Sequence, residues 1–367
     1  MQSTNKKVCI VTISLAKGGA ERSCAMLSEM LSEKGHEVHI VTLNDQIDYP
    51  FSGTLFNLGK LKTGKDSFFK RWKRLTLLQN YIKEHSFDFI IDHRPKNQYR
   101  REMLYHRKVY KNQKVIYVAH SSNKEEYLTN KPRRFAQISN RNFSNVAVSD
   151  YIKEEVLRKA GIENAITIHN AFNPKWAADI SEVPEILKGK KYVLTYGRMV
   201  DEIKDFRFLI ESYEASNLHL QNVHLVIMGD GPDKEKIRQF VSGLGSKEYI
   251  HFLPFVSSPF SIIKKAEFVT LTSKYEGFPM VLVESLSVGT PVVSLDIISG
   301  PNEIVKHEVN GLLVSERNIP LFAAALERLV TDKELYASCK ASARESVERF
   351  SKDEIANKWN SLLHNEE

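Results

Sequence analysis

Short apolar runs rich in β-branched residues recur along the chain, and each is closed by glycine or a polar turn. Val8 to Ile13 is the first and predicts a buried strand. Gly18 and Gly19 break it, and Ala20 to Lys34 then carries Ala20, Cys24, Leu27 and Leu31 at the spacing of one helix face. Gly35 ends that helix, and His36 to Leu43 predicts a second strand. Phe87 to Ile91, Val115 to Ala119, Asn145 to Val148 and Ile166 to His169 predict further strands, each followed by polar or helical sequence.

A looser stretch from Asn173 to Lys191 precedes a second series of the same kind. Its predicted strands are Tyr192 to Tyr196, His224 to Met228, His251 to Leu253, Phe268 to Thr272 and Pro291 to Ser294. Helices are predicted at Asp233 to Leu244 and Pro279 to Ser287. Alternation of strand and helix in both halves predicts an α/β chain of two Rossmann-like domains, each a doubly wound parallel sheet, facing one another across a cleft. A length of 367 residues suits two domains. The boundaries are drawn at 1–175 for an acceptor-binding domain and 176–350 for a donor-binding domain. The closing helix, 351–367, with Ile355, Trp359, Leu362 and Leu363 on one stripe, is expected to pack back towards the first domain. Ligands of such sheets bind beyond the carboxyl ends of the strands, so the loops there are where chemistry is sought.

Composition, at 42% hydrophobic and 26% charged, is that of an ordinary globular protein, and no run approaches the ~18 apolar residues of a membrane span. Cys9, Cys24 and Cys339 form no CxxC or Cys/His motif, which argues against zinc and a disulfide framework and for a reducing, cytoplasmic setting. Charge adds one more feature. Between Lys60 and Lys114, sixteen Lys/Arg stand against five Asp/Glu, a local net of +11 in a chain whose total is +7. Phe68, Phe69 and Trp72 are interleaved with Lys70, Arg71, Lys73 and Arg74. Such a stretch suits an anionic inner-membrane surface or a phosphorylated acceptor, with a solvated basic face as the plain alternative. No nucleic-acid module accompanies it, so nucleic acid is not the expected partner.

Five strand-end loops carry candidate chemistry. Leu15 to Arg22 holds Gly18 and Gly19, whose amides would approach an anion at a helix N-terminus; a tight turn explains them equally well. Gly197 and Arg198, with Lys204 six residues on, put two cations where a departing diphosphate would gain charge. Met228 to Pro232 reads mainly as a turn. In Ser273 to Pro279, Glu276 would lie before a helix that starts near Pro279 and contains Glu284. That pair of carboxylates would accept hydrogen bonds from sugar hydroxyls. Asp296 to Val305 is a Gly-Pro turn at the same sheet edge.

Taken together, Gly18-Gly19-Ala-Glu-Arg, Gly197-Arg198 with Lys204, Gly229-Asp-Gly231-Pro232, Glu276-Gly277-Phe278-Pro279 with Glu284, Gly300-Pro301-Asn-Glu303-Ile and Asn310-Gly311-Leu-Leu-Val resemble the retaining glycosyltransferases of family 4, of GT-B architecture. The layout is similar to bacterial enzymes that build capsule, lipopolysaccharide or lipid-linked oligosaccharide. The resemblance implies a nucleotide-sugar donor, with UDP preferred, and a glycan or lipid-linked acceptor. It places Glu276 and His120 near the transferred sugar, Glu284 on the ribose, Arg198 and Lys204 on the diphosphate and the Gly19 amide by the distal phosphate. Phe255, within Phe252 to Val256, would face the base through the backbone, although Pro254 stands where relatives often have glycine. No Asp-x-Asp occurs, which implies no metal and no cofactor, the cations stabilising the leaving group instead. The resemblance leaves open a sugar-nucleotide 2-epimerase or a non-catalytic nucleotide-sugar-binding subunit on the same architecture.

Overall fold

The computed structural model describes residues 5–63, 67–178 and 181–365. The chain divides into two compact units, residues 1–171 with 352–367, and residues 172–351. The crossing points therefore fall at 171/172 and 351/352, a few residues from the boundaries drawn on the sequence.

Unit 1 is built on β1 (Lys7–Thr12), β2 (Glu37–Thr42), β3 (Thr54–Asn57), β4 (Phe89–Asp92), β5 (Val115–Ala119), β6 (Ser144–Ala147) and β7 (Ala165–Thr167). They form one parallel sheet in the order β3-β2-β1-β4-β5-β6-β7. Helices α1 (Gly19–Glu33), α2 (Phe68–His85), α3 (Tyr99–Leu104), α4 (Lys124–Tyr127) and α5 (Pro132–Ser139) connect them. The central strands read as continuous apolar runs because helices cover both faces: Val8, Cys9, Ile10, Val11, Ile90 and Ile91 are all fully buried.

Unit 2 has β8 (Lys191–Tyr196), β9 (Val223–Met228), β10 (Ile250–Leu253), β11 (Phe268–Leu271), β12 (Val292–Leu295) and β13 (Gly311–Val314), again all parallel, in the order β10-β9-β8-β11-β12-β13. Its helices are α6 (Asp201–Lys204), α7 (Phe206–Ala215), α8 (Lys234–Ser242), α9 (Phe260–Lys265), α10 (Met280–Ser287), α11 (Pro301–Ile304), α12 (Ile319–Thr331) and α13 (Lys333–Ser346). The core sits between the sheet and α7, α8 and α12, where Leu209, Tyr213, Phe268, Phe322 and Leu326 are sealed from solvent.

The last helix, α14 (Lys352–His364), belongs to unit 1. Ile355, Trp359 and Leu363 are buried at successive turns, and Leu362 is half-buried beside them. Lys352 Nζ reaches Glu29 (3.1 Å) and Glu33 (2.7 Å) of α1, and Lys34 donates to Asn357 Oδ1 at 2.7 Å. These contacts fix the helix along α1.

Each sheet is doubly wound, so strand order reverses once: between β1 and β4 in unit 1, and between β8 and β11 in unit 2. Loops leaving adjacent strands diverge at that point and open a crevice at the carboxyl edge. The residues after β1 and β4, and after β8 and β11, are therefore the ones the fold presents to a ligand. Among the described residues, no helix is long and apolar enough to cross a membrane.

Candidate active site

In unit 2, the loop after β8 brings Gly197, Arg198 and, in the single turn of α6, Lys204 to the reversal point; the loop after β11 brings Ser273 to Pro279. Lys204 Nζ lies 2.6 Å from Glu276 Oε1, and Ser273 Oγ donates to the same oxygen at 2.7 Å. Lys204 and Glu276 keep only 22% and 16% of their side-chain surface, so the pair is partly withdrawn from water. The cation assigned to a diphosphate is thus tied to the carboxylate assigned to the sugar, and the two form one unit. Arg198 is exposed and has no side-chain partner among the described residues. Of the two cations assigned to the diphosphate, it is the one open to an incoming anion.

The loop carrying Glu276 is held from below by Arg317, which the sequence reading did not single out. Its guanidinium donates to the Thr272 carbonyl (3.0 Å) and the Ser273 carbonyl (2.7 Å), and pairs with Asp205 Oδ2 at 2.5 Å. Planar, forked donors suit two carbonyls and a carboxylate at once. Gly277 is buried and its carbonyl accepts from Ser299 Oγ at 2.7 Å. Phe278 turns inward, edge-on to Phe350 at 5.1 Å, and is 5% exposed. Pro279 is also buried and is the N-cap of α10. It packs against Gly300, where a β-carbon would overlap its ring and where φ is +98°. Phe278 and Pro279, of the Glu-Gly-Phe-Pro segment expected to bind the donor, thus anchor the loop that carries Glu276.

Glu284 sits in the middle of α10 and is 3% exposed. The Tyr196 hydroxyl donates to its Oε2 at 2.8 Å. A carboxylate buried in an apolar helix is costly unless hydrogen-bonded, and a tyrosine at the end of β8 supplies one such bond. Glu284 is therefore also at the reversal point, beneath the loop that holds Arg198.

The turn after β9 stacks on the turn after β8. Gly197 N–H donates to the Met228 carbonyl at 3.0 Å, and Met199 N–H to the Asp230 carbonyl at 2.9 Å. A β-carbon on Gly229, whose φ is +144°, would strike the Gly197 carbonyl. The Gly-Asp-Gly segment is thus a packing device, the turn reading made from sequence. Asp230 pairs with Lys234 at 2.6 Å and accepts from the Phe255 amide at 3.3 Å. Lys234, then that amide, hold the Asp230 carboxyl below its usual range. The Phe255 ring is 63% exposed and Pro254 is exposed beside it.

In unit 1, Gly18 is the N-cap of the 15-residue helix α1, with no side chain capping it, and Gly19 opens onto free space. Glu21 bends back so that its carboxylate lies against Gly18. That carboxylate occupies part of the positive helix end that the sequence reading offers to a phosphate.

His120, after β5, is not alone. Its Nε2 lies 2.8 Å from Nδ1 of His93, which follows β4. The outer nitrogens, His93 Nε2 and His120 Nδ1, are buried without a partner among the described residues. Burial, with Lys96 adding to it, pushes His120 down to about 3; burial and His120 push His93 well below its ordinary value. Both rings are neutral. One proton is shared between the inner nitrogens, so the outer pair holds one N–H and one lone pair, and the tautomer of His93 sets whether His120 Nδ1 donates or accepts. His93 escaped the sequence reading because it lies in Asp92-His93-Arg94-Pro95-Lys96, which reads as surface charge.

That charge is internal. Asp92, Arg94, Lys96 and Glu102 are at most 2% exposed. Arg94 bonds Asp92 Oδ2 (2.6 Å) and Glu102 Oε2 (3.1 Å), and its guanidinium lies 3.5 Å from the Tyr105 ring centre. Lys96 pairs with Asp92 at 3.3 Å, and Tyr110 donates to Asp92 at 3.1 Å. Burial works to raise Asp92, but Arg94 and Lys96 outweigh it and hold it at about 2, while burial brings Lys96 down to about 8. Arg94 and Lys96 therefore leave the tally of surface cations.

Cys24 Sγ and ring nitrogens of His93 and His120 lie within 4.8 Å of one another, a set with the softness for a transition ion. Burial raises the Cys24 thiol, however, which opposes the thiolate that ligation needs.

Two family profiles match the chain, one for each half. "Glycosyltransferase Family 4" covers residues 17–176 and "Glycosyl transferases group 1" covers residues 177–346. An N-acetylgalactosamine-N,N'-diacetylbacillosaminyl-diphospho-undecaprenol 4-alpha-N-acetylgalactosaminyltransferase of Campylobacter jejuni is 27% identical over 96% of this chain and 97% of its own length. An exopolysaccharide phosphotransferase of Streptomyces coelicolor is 31% identical over 52% of this chain, but that match spans only 21% of the longer protein. Matches to several other curated relatives span about half of the relative's length. Among solved structures, Anabaena HepE in complex with UDP and glucose superposes with a TM-score of 0.79 at 18% identity, over 98% of this chain and 100% of that one. With a family profile on each sheet and this fold likeness along almost the whole length, the chain belongs to the glycosyltransferases of GT-B architecture.

Proposed function

We propose that the protein is a retaining, metal-independent glycosyltransferase that moves a hexose or N-acetylhexosamine from a UDP-sugar to a hydroxyl of a surface-polysaccharide or lipid-linked glycan. The observation that carries this reading is the convergence, at the unit 2 reversal point, of Arg198, the Lys204–Glu276 pair and the buried Glu284. Two cations there match a diphosphate, and two carboxylates match vicinal hydroxyls. The C. jejuni relative's name specifies a diphospho-undecaprenol acceptor, and HepE was solved with UDP and glucose; both support the substrate classes.

In the reaction proposed, the bond from the anomeric carbon to the β-phosphate oxygen breaks while the acceptor oxygen bonds to the same face of that carbon. The acceptor proton passes to the departing phosphate. Arg198 and Lys204 stabilise the diphosphate, Glu276 orients the sugar, and Glu284 and Tyr196 hold the ribose end. The Phe255 segment faces the base. His120 and the Gly19 amide, at the carboxyl edge of unit 1, are the groups of that unit proposed to meet a sugar and a phosphate. We place this work on the cytoplasmic side of the membrane, where nucleotide sugars are made.

Release of UDP on incubation with a panel of UDP-sugars and a lipid-linked glycan tests the reading. Transfer that persists in EDTA is expected. Activity lost on chelation and restored by Mn²⁺ or Mg²⁺ would overturn metal independence, and free ManNAc from UDP-GlcNAc without acceptor would make the protein an epimerase.

A further inference from the structure

Helix α2 begins in the open. Every residue from 67 to 73 is exposed, and the helix meets the core only from Leu78 and Ile82 onward. Phe68, Phe69 and Trp72 are 73%, 83% and 49% exposed. Phe68 meets both other rings, stacking on Trp72 at 6.3 Å and lying edge-on to Phe69 at 6.2 Å. Lys70, Arg71 and Lys73 are interleaved with them, and α2 carries a single acidic residue, Glu84, in its last turn.

The feature continues along the helix. At about 100° per residue, Phe68, Trp72, Thr76, Gln79 and Lys83 fall on one stripe. The far end of that stripe borders a groove of about 810 Å³, whose lining includes Lys83, Arg107, Lys108, Lys111 and Lys114 with one acidic residue, Asp88. Arg94 and Lys96 are interior, whereas the cations of these two clusters lie at the surface, as do Lys60, Lys62 and Arg100 elsewhere in the basic segment.

We propose that α2 is a membrane-docking wedge: its aromatic end enters the headgroup layer of an anionic bilayer, and the cations on its flanks and in the groove engage lipid phosphates. Amphipathic aromatic rings favour the interfacial layer, and Lys/Arg side chains are drawn to its negative potential. The rings protrude from a helix end. A wedge of that shape suits a deformable medium, whereas a protein partner would need a preformed cavity for it.

Flotation of the full chain with vesicles tests this independently of glycosyl transfer. Phosphatidylglycerol-containing vesicles should carry the protein at low salt, and pure phosphatidylcholine should carry far less. Binding should fall as salt rises. The Phe68→Ser/Phe69→Ser/Trp72→Ser protein and the Lys70→Glu/Arg71→Glu/Lys73→Glu protein should each lose about tenfold or more in partitioning, with melting temperature and UDP-sugar binding unchanged. Trp72 emission should move to the blue on vesicle addition, and the Trp72→Phe protein should lack that change. Undiminished binding by either triple variant, or no vesicle binding by the wild type, would overturn the proposal. Retention on an acidic polypeptide but not on vesicles would overturn it in favour of a protein partner.

Discussion

Lys204 Nζ and Glu276 Oε1 lie 2.6 Å apart although their residues are 72 positions apart in sequence. The contact joins the loop after β8 to the loop after β11 across the strand-order reversal of unit 2. Neither residue can be treated as an isolated site. Lys204→Ala is expected to lower turnover by about 10²–10³-fold, the scale of losing one donor to a developing oxyanion. Glu276→Ala should also be severe. Because the two groups touch, the double variant should fall short of the combined single losses, with about 0.5–3 kcal/mol of coupling. A double-mutant cycle on UDP release measures this, and full additivity would show that the pair does not act together.

Arg198 differs, since it is exposed and unpartnered among the described residues. Arg198→Ala should leave stability within about 0.5 kcal/mol, as ordinary surface changes do. Turnover should drop by roughly 10²–10³-fold. Urea denaturation beside steady-state kinetics separates the two effects; near-normal turnover would remove Arg198 from the diphosphate site.

Glu284 and Tyr196 make the opposite case. Tyr196→Phe removes a hydroxyl that donates to a carboxylate 3% exposed, so it should cost about 1–3 kcal/mol in stability as well as weaken donor binding. Glu284→Gln, which keeps the shape and an acceptor, should be milder than Glu284→Ala in a urea titration. Equal losses would mean that the hydrogen bond contributes little.

The histidine pair gives a pH dependence of definite sign. In the unfolded chain both rings titrate near 6.5, while the fold holds His120 at about 3 and His93 well below its ordinary value. Below pH 6.5 the unfolded chain therefore binds protons that the folded chain does not. The stability that comes with neutrality is complete above that pH and is lost as pH falls towards 3, at up to about 1.4 kcal/mol per pH unit for each ring. His120→Asn should flatten this slope in denaturation curves taken across that range. His93→Gln should alter the pH profile of transfer, because it resets the tautomer of His120. An unchanged profile would reduce His93 to a packing role.

Much of the fold was legible because buried parallel strands must be apolar on both faces. Val8 to Val11 and Leu225 to Met228 announce themselves for that reason. Two strands escaped. β3 (Thr54–Asn57) is an edge strand without a fully buried residue, and β13 (Gly311–Val314) begins in an Asn-Gly pair that looks like a turn. At the site, the loops were legible but their inward parts were not. Phe278 carries no mark in sequence of its packing on Phe350, and Lys204 none of its partner. Arg94 and Lys96 read as surface cations because one-dimensional charge does not reveal the buried Asp92 and Glu102 that neutralise them. His93 was hidden in the same run.

The most direct test of the account follows a UDP-sugar and a lipid-linked glycan by proton NMR, in EDTA, with the wild type and Glu276→Ala proteins side by side. The expected result is a new glycosidic bond of the donor's own anomeric configuration, formed with one UDP released per bond and almost absent in the variant. A product of inverted configuration, or equal turnover by both proteins, would contradict it.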